Sequence, residues 1–182
     1  DDFHEKEQDR FEKDRKERKE TQEHGANKPI VLDLDGNGVA VTSLDHSSKF
    51  MDTGGDGLKH RTAWAGAGDG VLFYDADSDG TISQKREYIF TQWDPTASSD
   101  MEALRSYFDS NGDGKLTSAD AAFANFKILV TNADGSTTTK TLAQLGITEI
   151  NLTEDATRIV LPDGSVIEGQ TTFKKSNGTT GT

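Results

Sequence analysis

The run Asp109-Ser110-Asn111-Gly112-Asp113-Gly114-Lys115-Leu116-Thr117-Ser118-Ala119-Asp120 sets oxygen-bearing side chains at alternate positions of a short loop. Calcium takes roughly six to eight hard oxygen ligands, and this spacing supplies them from one turn of chain. Asp109, Asn111 and Asp113 converge, Gly114 permits the sharp bend, and Lys115 offers its carbonyl. Asp120 closes the loop where Glu is more usual, and Leu116 is the apolar residue that anchors the loop to a core. With amphipathic helices predicted on both sides, the motif reads as an EF-hand. The competing reading is an Asp/Asn-rich turn that binds nothing.

A second loop, Asp75-Ala76-Asp77-Ser78-Asp79-Gly80-Thr81-Ile82, repeats the alternation, with Thr81 as the carbonyl position. Arg86 stands at its twelfth position, and Glu87, one residue late, closes the site if the chain does not leave as a regular helix. Asp33-Leu34-Asp35-Gly36-Asn37-Gly38-Val39 is a third half-loop, entered from a strand and without an acidic twelfth residue. Asp52, Asp56 and Asp69 are expected to lend carboxylates to neighbouring loops. So many carboxylates repel one another until a cation joins them, which makes binding free energy part of folding free energy.

The remaining composition narrows the chemistry. A net charge of −12 argues against nucleic acid and anionic membrane surfaces, which select clustered Lys/Arg. With no Cys, disulfides and thiolate metal sites are excluded, and the four His residues are scattered. No apolar run approaches a membrane span. The chain opens on Asp1 without a visible signal peptide and reads as a fragment of a longer protein, expected to be monomeric in isolation.

The elements that must position these loops are short. Residues 1–27 read as a tether, helical or disordered: the first 24 residues hold 17 charged side chains. Residues 28–125 read as the EF-hand-like calcium region, in which pieces such as Val71-Leu72-Phe73-Tyr74 alternate with Asp/Gly turns. Within it, 99–126 reads as helix–loop–helix, with Ser99 and Glu102 as a capping box and Met101, Leu104 and Phe108 on one face. Residues 126–175 read as a small antiparallel β annex packed on it, with strands at 126–131, 147–152, 158–161 and 165–173. Residues 176–182 read as a flexible tail. The fold class expected is α+β, with EF-hand-like loops linking short strands and helices. Trp64 and Trp93 read as core anchors.

Other motifs carry less. Asp52-Thr53-Gly54 matches the aspartic-protease signature, but a second copy is needed for the shared proton and none occurs. Gly66-Ala67-Gly68-Asp69-Gly70 resembles a phosphate loop, yet a strand follows it and Asp69 faces the phosphate position. Asp45-His46-Ser47 reads as a surface turn.

Taken in order, Pro29-Ile30-Val31-Leu32-Asp33-Leu34-Asp35-Gly36-Asn37-Gly38, Thr62-Ala63-Trp64, Asp69-Gly70 and the stretch from Asp75 to Glu87 resemble the calcium-binding modules of large secreted RTX (repeat-in-toxin) proteins, including the self-processing modules of FrpC-like proteins. The resemblance covers about residues 29–175, and the late Glu87 is part of its pattern. It implies type I secretion of an unfolded chain that folds on meeting extracellular calcium, at a secreted or bacterial cell-surface location, beside neighbouring domains of a larger protein. For self-processing members it implies cleavage of an Asp–Pro bond. The Asp carboxylate attacks its own peptide carbonyl, proline leaves, and a lysine captures the anhydride as an isopeptide.

Here the chain departs from the pattern, because Lys28 precedes Pro29 and has no carboxylate to attack with. The one Asp–Pro pair, Asp94-Pro95, lies inside the module, where a cut divides the domain, and reads as a turn before the helix. The first expectation is therefore a non-enzymatic calcium-binding module. A self-processing module, inactive at Lys28 or cleaving at Asp94-Pro95, comes second, and an adhesion or ligand-binding domain comes third.

Overall fold

In a computed structural model, residues 6, 8, 29–42, 47, 49–51, 60, 61, 64–160 and 166–182 are described. From residue 29 on, short strands dominate: β1 (Val31–Asp33), β2 (Val41–Thr42), β3 (Phe50–Met51), β4 (His60–Arg61), β5 (Trp64–Ala65) and β6 (Asp69–Tyr74). Helix α1 (Asp100–Tyr107) follows, then β7 (Lys115–Thr117), β8 (Phe126–Thr131), β9 (Thr137–Thr141) and β10 (Ile147–Asn151). The chain closes with β11 (Arg158–Val160), β12 (Val166–Glu168), β13 (Phe173–Lys175) and β14 (Thr180–Gly181).

Two antiparallel four-stranded sheets frame the molecule, in the orders β1-β6-β8-β9 and β14-β13-β10-β7. β6 is one of the two inner strands of the first. Its residues Val71, Leu72 and Phe73 have no solvent exposure, as expected of a strand covered on both faces. β8 pairs with it in the register Phe73↔Lys127 and Tyr74↔Phe126, so the strand opening the 126–175 stretch is built into the same sheet as β1 and β6. The main core lies between the two sheets and α1, where Leu72, Phe90, Leu104, Phe108, Leu116, Phe126, Ile128 and Ile150 meet.

The α+β, EF-hand expectation is corrected by this architecture. Helix α1 does enter the Asp109 loop, capped as the sequence implied by Ser99, whose hydroxyl accepts the Glu102 N–H at 3.1 Å. The Glu102 carboxylate, however, accepts from Ser98 and not from the cap residue. No second helix leaves the loop. Leu116 goes into β7 opposite Ile150 of β10, and a single 3₁₀ turn at Phe123–Asn125 leads straight into β8. The physical reason is tertiary. Sheet pairing satisfies the backbone of 115–117 and buries Leu116 completely, and Phe126 must already sit beside Tyr74, leaving too few residues for a stable helix. The fold is mostly antiparallel β with one short helix in this region. Residues 176–182, read as a tail, carry β14, and the Thr182 carbonyl accepts the Asp33 N–H at 2.8 Å.

Candidate metal centres

The Asp75 and Asp109 loops share one internal geometry. Asp75 accepts the N–H groups of Asp79 and Gly80 at 3.1 and 3.0 Å, and Asp109 accepts those of Asp113 and Gly114 at 3.2 and 2.7 Å. The fifth-position carboxylates each accept the amide two residues on, Asp79 from Thr81 and Asp113 from Lys115, both at 3.0 Å. Gly80 and Gly114 stand at φ +74° and +76°, a left-handed conformation that explains glycine at the sixth position.

The closing acids correspond as well. Glu87 accepts the N–H of Ala76 at 3.2 Å and of Ser83 at 2.7 Å. Asp120 accepts those of Ser110 and Thr117, both at 2.9 Å. In each loop these are the second and ninth residues. Glu87 therefore occupies the place of Asp120 although it comes one residue later, because the chain leaves the Asp75 loop through a 3₁₀ turn, Lys85–Glu87, and Glu has a longer side chain.

The third centre is assembled across a sheet. Asp33 ends β1, Asp69 begins β6, and the two are direct partners in the strand pair. Asp33 accepts the N–H groups of Gly36 and Gly38, each at 2.9 Å. Asp35 accepts from Asn37, through its backbone N–H at 3.2 Å and its side-chain amide at 2.8 Å. Asp69 accepts the Ala40 N–H at 2.6 Å through Oδ2, while its buried Oδ1 has no partner. Burial pushes the Asp69 carboxyl up to about 6, with the charges of Asp33 and Asp35 adding to the rise. Burial pushes the Asp33 carboxyl up, but hydrogen bonds from the Gly38 amide, the Asp35 side chain and the Gly36 and Asn37 amides together hold it below the usual range.

The structure thus brings together three groups whose ligand atoms lie within 4.8 Å of one another: Asp33, Asp35 and Asp69; Asp75, Asp77, Asp79 and Glu87; and Asp109, Asp113 and Asp120. Asn37 and Asn111 sit within the Asp33 and Asp109 loops, Asn111 donating to Asp113 at 3.2 Å. Val39, Thr81 and Lys115 follow in the same three loops, the Thr81 and Lys115 amides donating to Asp79 and Asp113. Asp52 and Asp56 lie outside the described residues, as do Lys28 and the Asp45-His46 pair. All these donors are hard oxygens, and a buried carboxylate oxygen without a proton donor is the kind of group a divalent cation satisfies. The residues fit such an ion.

Sequence reasoning missed Lys127, whose ammonium donates to Asp75 Oδ2 inside the second group. Its only signal is three-dimensional, the pairing of β8 with β6. Asp94 and Pro95 form a turn. Asp94 Oδ1 accepts the Thr96 N–H at 3.1 Å and its hydroxyl at 2.6 Å, and Oδ2 accepts the Ser106 hydroxyl at 2.6 Å. The bonds from Ser106 and Thr96 hold that carboxyl below its ordinary range.

No helix among the described residues is long and apolar enough to cross a membrane. The chain is 30% identical over 160 residues to iron-regulated protein FrpA of Neisseria meningitidis serogroup C, an alignment covering 84% of this chain and 14% of that protein. It therefore corresponds to a small part of a much larger relative, in keeping with the FrpC-like resemblance of its motif order. The SPM domain family matches residues 30–182, and the chain belongs to that family.

Proposed function

We propose that this chain is a calcium-binding module of a larger, secreted RTX-type protein, and that it completes its fold on binding calcium. The observation that carries the reading is the convergence of three acidic groups, one of which contains the unpartnered, fully buried Asp69 Oδ1. Calcium supplies the positive charge that neutralises these carboxylates. The chain's own residues do the rest: backbone amides aim each first-position Asp, Glu87 and Asp120 close two loops, and Asp69 closes the third from a neighbouring strand. A site held at 100 times its Kd adds about 2.7 kcal/mol, so two or three sites decide whether a modest core is folded. The secreted or cell-surface location and the neighbouring domains follow from the same reading.

Calcium titration into chelated protein, followed by circular dichroism and Trp fluorescence with magnesium as control, tests this. A cooperative gain of structure with calcium, weakened by Asp113→Lys, is the expected result. Chelated protein that is already fully folded and indifferent to calcium overturns the proposal. Self-processing at Asp94-Pro95 is disfavoured by the bonds from Thr96 and Ser106, which engage both carboxylate oxygens. Prolonged incubation with calcium is expected to leave the 19.8 kDa mass intact, and fragments divided at that bond restore the self-processing reading.

A further inference from the structure

We infer that Gly68 is a positioning residue for the Asp33 centre, holding open the space in which the Asp35 carboxylate faces Asp69. The inference rests on the calcium reading of that centre. Its starting point is Gly66-Ala67-Gly68-Asp69-Gly70, whose glycines no phosphate explains. A Cβ on Gly68 falls 2.1 Å from Asp35 Oδ2 and 2.8 Å from Asp35 Cγ, so a side chain there and the observed carboxylate position exclude each other. The turn cannot retreat. The Gly66 N–H donates to the Ala40 carbonyl at 2.8 Å, the Gly68 N–H to the Thr131 carbonyl at 3.0 Å, and the Ala40 N–H to Asp69 Oδ2 at 2.6 Å. A Cβ on Gly66 meets Ala40 Cβ at 2.8 Å, which closes the other side. What gives way on enlarging residue 68 is the exposed Asp35 side chain, whose carboxylate then leaves the position it holds within 4.8 Å of the Asp33 and Asp69 oxygens. A turn packed against a ligand thus decides where the ligand points, as groups behind metal ligands do.

The test is calcium chloride titration of the full chain, read by the NMR shifts of the Gly36 and Gly38 amides, which donate to Asp33 within this centre. Gly68→Ala is expected to weaken their response about tenfold or more. Gly135→Ala is the control for backbone strain, since Gly135 has φ +84° and nothing within 4 Å of a built Cβ. It is expected to change the response by less than about twofold. In an Asp35→Ala background, Gly68→Ala should add no further loss, because the displaced group is already gone. If Gly68→Ala does not fold alone, the thermal midpoint of the double variant decides. A midpoint equal to that of Asp35→Ala, apart from the shift seen with Gly135→Ala, supports the inference, and a much lower one overturns it. A wild-type response with Gly68→Ala unaffected overturns this inference alone. No wild-type response at Gly36 and Gly38 overturns the calcium reading of the centre, and this inference with it.

Discussion

The rings of Tyr74 and Phe108 lie 4.9 Å apart, centroid to centroid, and each is the residue immediately before the first carboxylate of an acidic loop. Phe126 touches both, at 5.2 and 5.1 Å, and immediately precedes Lys127, which bonds Asp75. One aromatic cluster therefore roots the Asp75 and Asp109 loops, so packing and loop geometry are not independent.

Phe126→Ala, at a fully buried position, is expected to cost about 3–5 kcal/mol in urea unfolding with calcium present. Val160→Ala, at a position 57% exposed, should stay within about 0.5 kcal/mol. Equal effects from the two would mean that the aromatic cluster is not the root of the fold.

Glu87 has no solvent exposure and accepts from Ala76, Ser83 and Gln84. Glu87→Ala leaves those donors unmatched and should cost about 1–3 kcal/mol even in chelator. Glu87→Gln keeps an acceptor oxygen but loses the charge, so it should retain more of the chelated stability while losing calcium stabilisation. Thermal midpoints with chelator and with calcium separate the two roles. Identical calcium shifts in wild type and Glu87→Gln would remove Glu87 from the proposed ligands.

Lys127 places a tethered cation against Asp75. Removing it from a largely buried pair should destabilise the chelated protein by about 2 kcal/mol, less than a fully buried pair because Lys127 retains 22% side-chain exposure. A bound divalent cation takes over the compensation of Asp75, so the deficit of Lys127→Met should narrow in calcium. A deficit that is the same in chelator and calcium would show that the lysine and the ion do not share this carboxylate.

Glu149 on β10 pairs with Lys115 of β7 at 3.2 Å and Lys174 of β13 at 3.3 Å. Burial pushes its carboxyl up, but the two ammonium groups together hold it below its ordinary value of 4.5. A depressed folded value means that the contribution is complete above about pH 4.5 and is lost as pH falls through the folded value. Glu149→Gln should therefore cost about 0.5–1 kcal/mol at pH 7, where exposed lysines limit the gain, and converge with wild type in acid. A pH-independent difference would point to packing instead of charge.

The chemistry was legible in the sequence because it is local. In the Asp109 loop alternating oxygens, a glycine with positive φ at the sixth position and a closing acid all lie within a dozen residues, and Ser99 caps α1 as its neighbours imply. The EF-hand was not determined locally. Whether 115–125 continues as helix or strand depends on Ile150 and Tyr74, which reach those residues only through pairing with β10 and β6. The same holds for Asp69 opposite Asp33, Lys127 against Asp75 and Gly68 under Asp35, each joined by strands distant in the chain. The sequence by itself determined which segments carry the clustered side-chain oxygens, since turn geometry follows from a few neighbouring side chains. Only the tertiary structure decided which segments share a centre, because sheet pairing and core burial select partners that no local pattern encodes.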